Sequence, residues 1–170
     1  MMFSKIQLRR VMKEDLESFR TWRNSTNIWE NNTQFIFLNM ENQKKWIKSL
    51  SEKNSDKHMF TIIDKKKKPI GICGLTNFDS TKKCAKIAII IGNSNFQSRG
   101  IGTQSLTLLL NYGFKKLKLH RIEAEVLEYN TKSQSFFEKF NFHKEAELRD
   151  YLFRNEKWWS LIVYSKLISD

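Results

Sequence analysis

At 170 residues, 40% of them hydrophobic and 13% aromatic, the chain is sized for one domain over residues 1–170 and is too apolar to be disordered. Its longest aliphatic run, Ile87 to Ile91, is far too short to cross a bilayer, and MMFSKIQLRR lacks the apolar core of a signal peptide, so neither membrane nor leader is expected. Thirty Lys and Arg against 18 Asp and Glu give a net charge of +12, a field that attracts anions without naming one.

In chain order, a strand is expected from Phe3 to Arg9, then a helix from about Lys13 to Arg23 carrying Leu16, Phe19 and Trp22. A second helix runs from about Met40 to Glu52, with Asn39 as N-cap and Trp46, Ile47 and Leu50 on its apolar side. Three strands follow, from His58 to Asp64, Pro69 to Phe78 and Cys84 to Gly92; the lysines at 65–68 read as a solvated hairpin turn between the first two. A long helix ends near Leu117, a strand spans Arg121 to Tyr129, and a short helix covers Thr131 to Phe140. Two closing strands, Glu145 to Phe153 and Trp158 to Ser165, are joined by a polar turn, Arg154 to Lys157. Strands and helices interspersed, with several strands joined directly by turns, predict an α+β domain. Cys73 and Cys84 lack metal-ligand spacing and read as free thiols in a reducing cytoplasm, and no metal is expected.

The stretch FQSRGIGT, Phe96 to Thr103, joins the aliphatic strand to the long helix and holds two of the chain's six glycines. Helix N-termini leave backbone N–H groups unpaired, and glycine lets the backbone approach an anion closely. Gln97, Arg99 and the amides from Ser98 to Thr103 therefore suit a pyrophosphate; a tight turn whose glycines permit close packing is the other reading. On the later strand, alternation puts Ile122, Ala124 and Val126 on a core face and Arg121, Glu123, Glu125, Leu127 and Tyr129 on the other. Glu123 and Glu125 then serve chemistry or simply pair with Arg121 and nearby lysines.

QSRGIG after an aliphatic strand resembles the acetyl-CoA-binding motif of the GNAT superfamily of N-acetyltransferases. HRIEAEVLEYNTKSQSFFEKFNF, His120 to Phe142, resembles that family's second conserved block. AELRDYLFRNEKWWSLIVYSKLI looks like the closing hairpin of its ribosomal-protein and amino-sugar branches, whose W-R-N matches Trp22-Arg23-Asn24. The resemblance covers essentially the whole chain. It implies the GNAT fold: a central, mixed, mostly antiparallel seven-stranded sheet flanked by four helices, splayed between the fourth and fifth strands to admit pantetheine.

The same resemblance implies the site. Backbone amides around Ile90, Ile91 and Gly92 would pair with pantetheine and hold the oxyanion, while Gln97, Ser98, Arg99, Gly100, Ile101, Gly102 and Thr103 would carry the pyrophosphate. Asn130 and Ser133 would lie along the cofactor, although Asn130 reads equally as a helix N-cap. Glu125 takes the position of the family's general base. Phe137 stands where many members have the tyrosine that protonates the leaving thiolate; Ser133, Tyr129 or water would have to replace it. Trp22, Arg23 and Asn24, with Glu123, are the acceptor candidates, Trp22 having a core reading as well.

The reaction implied is transfer of acetyl from acetyl-CoA to a primary amine, on a nucleotide-linked amino sugar or a protein N-terminus; the basic field argues against polyamines. A non-catalytic acetyl-CoA-binding homologue is the alternative that Phe137 suggests. A nucleic-acid-binding module would explain the charge, but no reading helix or RNA-binding signature supports it. A homodimer is expected only from family habit.

Overall fold

The computed structural model describes residues 6–34 and 36–170. Seven strands form one sheet in the order β1-β2-β3-β4-β5-β7-β6. They are β1 (Gln7–Arg10), β2 (His58–Ile63), β3 (Pro69–Asp79), β4 (Cys84–Ile91), β5 (Arg121–Leu127), β6 (His143–Arg154) and β7 (Lys157–Leu167). All neighbours are antiparallel except β4 and β5. The first three residues of the strand expected from Phe3 lie outside the described residues. β2 and β3 meet at the lysine turn, where the Asp64 carboxylate accepts from the N–H groups of Lys66 and Lys68, both at 2.9 Å.

The helices are α1 (Leu16–Asn24), α2 (Thr26–Trp29), α3 (Met40–Ser49), α4 (Ile101–Asn111) and α5 (Thr131–Glu138). Among the described residues five stand where four were expected: α2 is a single turn, too short to show an apolar period. α4 continues as a π-turn over Tyr112–Lys116, which accounts for the length expected to Leu117. Asn39 caps α3, its side chain accepting from the Asn42 N–H at 2.8 Å. After α5, Asn141 takes a left-handed conformation (φ 57°), a position tolerant of asparagine.

The main core gathers Cys73 and Leu75 of β3, Ile122, Ala124 and Val126 of β5, Ile101, Leu106 and Leu109 of α4, and Phe137 of α5. α1 and α3 form a smaller packing unit, in which the fully buried Phe19 meets Trp46 edge-on at 6.1 Å. Asp15, also fully buried, ties β1 to the start of α1. It accepts from Arg9 in a two-pronged pair (2.7 Å each), from the Met12 N–H (2.9 Å) and from the Thr61 hydroxyl (2.7 Å). Burial alone would raise the Asp15 carboxyl, but these bonds outweigh it and hold it below its ordinary value.

A folded-state pKa below the unfolded one adds stability above the unfolded pKa of about 4, and this is lost as pH falls through the folded value. Asp15→Asn is expected to cost about 3 kcal/mol in urea unfolding at neutral pH, with the gap to the native protein closing as the medium is acidified. A gap independent of pH would contradict the Asp15 assignment.

Candidate active site

β4 and β5 share only three pairs, Cys84↔Arg121, Ala85↔Ile122 and Lys86↔Glu123. Beyond them each strand stays with its other neighbour, β4 with β3 as far as Ile91 and β5 with β7 as far as Leu127. The outer edge of β4 thus turns backbone groups without a sheet partner toward a gap. That gap is a cavity of about 590 Å³, within the range of small-molecule sites. Its walls are β4 from Lys86 to Ile91, Glu125 and Val126 of β5, Asn130, Ser133 and Phe137 at α5, and Arg23 with residues 31–34 from the α1–α2 side.

Glu125 faces this cavity, and its carboxylate is bonded to the Lys86 ammonium across the strand gap. The bond from Glu125 raises the Lys86 pKa, so the lysine stays charged. A carboxylate accepts at both oxygens, which leaves Glu125 able to receive a second donor. Glu123 is handled differently. It accepts from Arg121 Nε at 2.8 Å, away from the cavity wall, while the same guanidinium bonds Glu145 and holds that carboxyl down to about 2. The polar face of β5 also ends sooner than alternation predicts, because Leu127 is fully buried beside Val126.

At α5, the cap reading of Asn130 holds: its side chain accepts from the Ser133 N–H at 3.1 Å, in a position that also lines the cavity. Phe137 reaches the wall with its ring against Phe142 (5.1 Å between centroids) and brings no proton to donate. Tyr129 is withdrawn as a substitute acid. Its hydroxyl donates to the Glu30 carbonyl at 2.5 Å and accepts from Arg154. Ser133 is the remaining candidate hydroxyl on the wall.

In the glycine loop, Gly100 is left-handed (φ 74°) as the residue before α4. Gly102 is not under that constraint, and a Cβ there would meet Phe136 at an ordinary 3.6 Å. Ser98, Arg99 and Thr103 are exposed, whereas Ile101 points into the core and has only its backbone to offer an anion. Gln97 ties the loop to the cavity edge, donating from Nε2 to the Ile91 carbonyl at 3.0 Å. Gly92 has a role the sequence did not reveal: a Cβ would lie 1.9 Å from the Trp22 ring. Its N–H is taken by the Ile70 carbonyl at 3.0 Å, and by the same antiparallel alternation Ile90 bonds back to Ile72 of β3, so of the three amides expected to serve the site only that of Ile91 turns to the open edge.

Of the W-R-N residues, Trp22 packs on Gly92 and Phe19. Asn24 clamps the chain at Leu38, donating to its carbonyl (2.7 Å) and accepting from its N–H (2.8 Å). Arg23 alone reaches the cavity. Two further residues matter that sequence reasoning missed. Lys86 carried a signal, as the lone charge inside an aliphatic strand. Arg154 carried none; it falls in the expected polar turn, yet it is 5% exposed. Its guanidinium donates to the carbonyls of Glu30 and Asn32 and to the Tyr129 hydroxyl, joining the loop at 31–34 to the β5–α5 corner.

The sequence profile of the GNAT acetyltransferase domain matches residues 5–143, and the chain belongs to that family. It is 32% identical over 105 residues to an uncharacterized N-acetyltransferase p20 of Bacillus licheniformis, covering 62% of this chain and 58% of the relative. It is 28% identical to the ribosomal protein uS5-alanine N-acetyltransferase of Escherichia coli, covering 58% of this chain and 52% of that protein. The chain thus spans about half the length of these relatives. A spermidine N-acetyltransferase from Vibrio cholerae, solved with CoA and spermine, superposes with a TM-score of 0.90 over 96% of both chains at 23% identity, a likeness of fold. No helix among the described residues is long and apolar enough to cross a membrane, and no three or more His, Cys, Asp or Glu side chains among them are grouped so as to hold a metal ion.

Arg154→Gln is expected to free the Glu30 and Asn32 carbonyls. Backbone hydrogen exchange at residues 31–34 should then quicken by about tenfold or more while α4 keeps its protection. Equal exchange in both proteins would show that Arg154 does not hold the loop.

Proposed function

We propose that this chain transfers the acetyl group of acetyl-CoA to a primary amine, carried by a nucleotide-linked amino sugar or by a protein N-terminus. The observation that carries the reading is Glu125, a carboxylate in the cavity opened by the parting of β4 and β5, opposite free backbone groups of β4. An alkyl amine has a pKa near 10.4 and an α-amine near 8, so the attacking nitrogen must lose a proton. Glu125 accepts it, directly or through water, alongside its bond to Lys86. The backbone N–H of Ile91 receives the oxyanion that develops on the acyl carbon, and the amides at Ser98–Thr103 bind the pyrophosphate at the start of α4. Acetyl-CoA supplies the activated acyl group. Its thiolate, of ordinary pKa about 8.5, leaves with a proton from Ser133 or water, or unaided.

A polyamine acceptor is the second reading, prompted by the spermidine enzyme's shared fold. The charges on the wall weigh against it. A polycation would meet Arg23, Lys57 and Lys86 and one carboxylate, Glu125, which Lys86 already occupies. The acceptor and the activity are tested together by thiol release from acetyl-CoA with an amino-sugar nucleotide, ribosomal-protein N-terminal peptides, spermidine and an aminoglycoside. Glu125→Gln is expected to lower kcat by about 10²–10⁴ with acetyl-CoA affinity retained. An unchanged rate removes Glu125 from the mechanism, and acetyl-CoA binding without turnover of any amine leaves a binding homologue.

A further inference from the structure

Three cations line the cavity, and two of them are matched. Lys86 is paired with Glu125, and Lys57 lies 3.4 Å from Asp56. Arg23 is different. Among the described residues it has no carboxylate partner; its Nη2 makes one long contact of 3.4 Å to Gln34 Oε1, and its buried Nε has no hydrogen-bond partner. Burial pulls the guanidinium below its ordinary pKa, with no neighbouring charge acting against that. The residues outside the description, 1–5 and Phe35, include no Asp or Glu to supply the counter-ion. A desolvated guanidinium without an anion is costly to hold, and its planar fork matches carboxylate and phosphate oxygens.

We infer that Arg23 forms an anion subsite in the cavity, taking a carboxylate or phosphate carried by the same molecule that presents its amine to Glu125. This rests on the N-acetyltransferase reading and narrows it: the acceptor is an amine that also bears an anionic oxygen group. The backbone anchoring of Asn24 at Leu38 and the packing of Trp22 on Gly92 hold the end of α1 in place, so Arg23 is presented from a fixed support. Its one polar contact among the described residues, to Gln34, lies on the loop that Arg154 clamps.

Matched amines separate the subsite from the reaction. Glucosamine and glucosamine 6-phosphate, and the peptide amides Ala-Asn and Ala-Asp, are titrated calorimetrically into the full chain saturated with CoA. The anionic member of at least one pair is expected to bind about tenfold or more tightly, and the pair that shows it tells phosphate from carboxylate. Arg23→Gln should abolish the preference, Arg23→Lys should keep part of it, and both should bind acetyl-CoA as the native protein does, which also reports that they fold. Equal affinities within both pairs, no measurable binding of either anionic probe, or a preference that survives Arg23→Gln would overturn the subsite. Weakened acetyl-CoA binding in Arg23→Gln would assign the guanidinium to the cofactor instead. If the preference holds but no amine is acetylated, the transferase reading fails while the subsite stands; turnover without preference has the opposite meaning.

Discussion

Two adjacent parallel strands that stop exchanging hydrogen bonds create an energetic problem, since buried backbone groups without partners are costly. β4 and β5 meet that situation directly after Lys86 and Glu123. Each strand remains anchored on its far side, so the gap cannot close by one strand drifting across. What remains is a slot with backbone donors and acceptors on one wall and a carboxylate on the other, suited to an extended ligand that itself carries amides. The different positions of the two glutamates of β5 follow from this parting. Glu125 reaches the slot because it lies two residues beyond the last shared pair, and Glu123, within the pair, is left to Arg121.

The slot depends on supports that come from distant parts of the chain. Gly92 lets the Trp22 ring lie against the end of β4, which brings α1, and Arg23 with it, to the cavity mouth. Arg154, from the end of β6, bonds two carbonyls more than a hundred residues away in sequence and the hydroxyl of Tyr129. Trp159 closes the arrangement, donating from its indole N–H to the Arg154 carbonyl at 3.0 Å and packing edge-on to Tyr129 at 4.7 Å. Buried guanidinium bonds of this kind fix geometry more than they add stability. That suits a loop that forms one wall of a binding site.

Much of this was legible in the sequence for local reasons. β-branched runs such as CAKIAIII and RIEAEV mark strands, Asn39 and Asn130 mark helix starts, and both caps form. The glycine junction was readable because a strand, a turn and a helix follow one another in the chain, although of its two glycines only Gly100 is left-handed, and Ser98 (φ 57°) is left-handed as well. Long-range contacts were not readable. Nothing near Arg154 in sequence tells that the Glu30 and Asn32 carbonyls will bury it, and nothing near Gly92 announces Trp22. Leu127 was placed on the polar face because alternation was carried past the point where it ends. Of the two options the sequence leaves for Glu125, chemistry or pairing with a nearby cation, the structure shows the pairing, to Lys86, on a carboxylate that faces the cavity.

The central claim is that the free edge of β4 is where acetyl-CoA binds. Amide hydrogen exchange, followed residue by residue with and without acetyl-CoA, tests it most directly. Added acetyl-CoA is expected to slow exchange at Ile91 and across Ser98–Thr103, while the β2–β3 ladder is unaffected. Binding that leaves β4 and the glycine loop unprotected, or that protects another face of the sheet, would contradict the account.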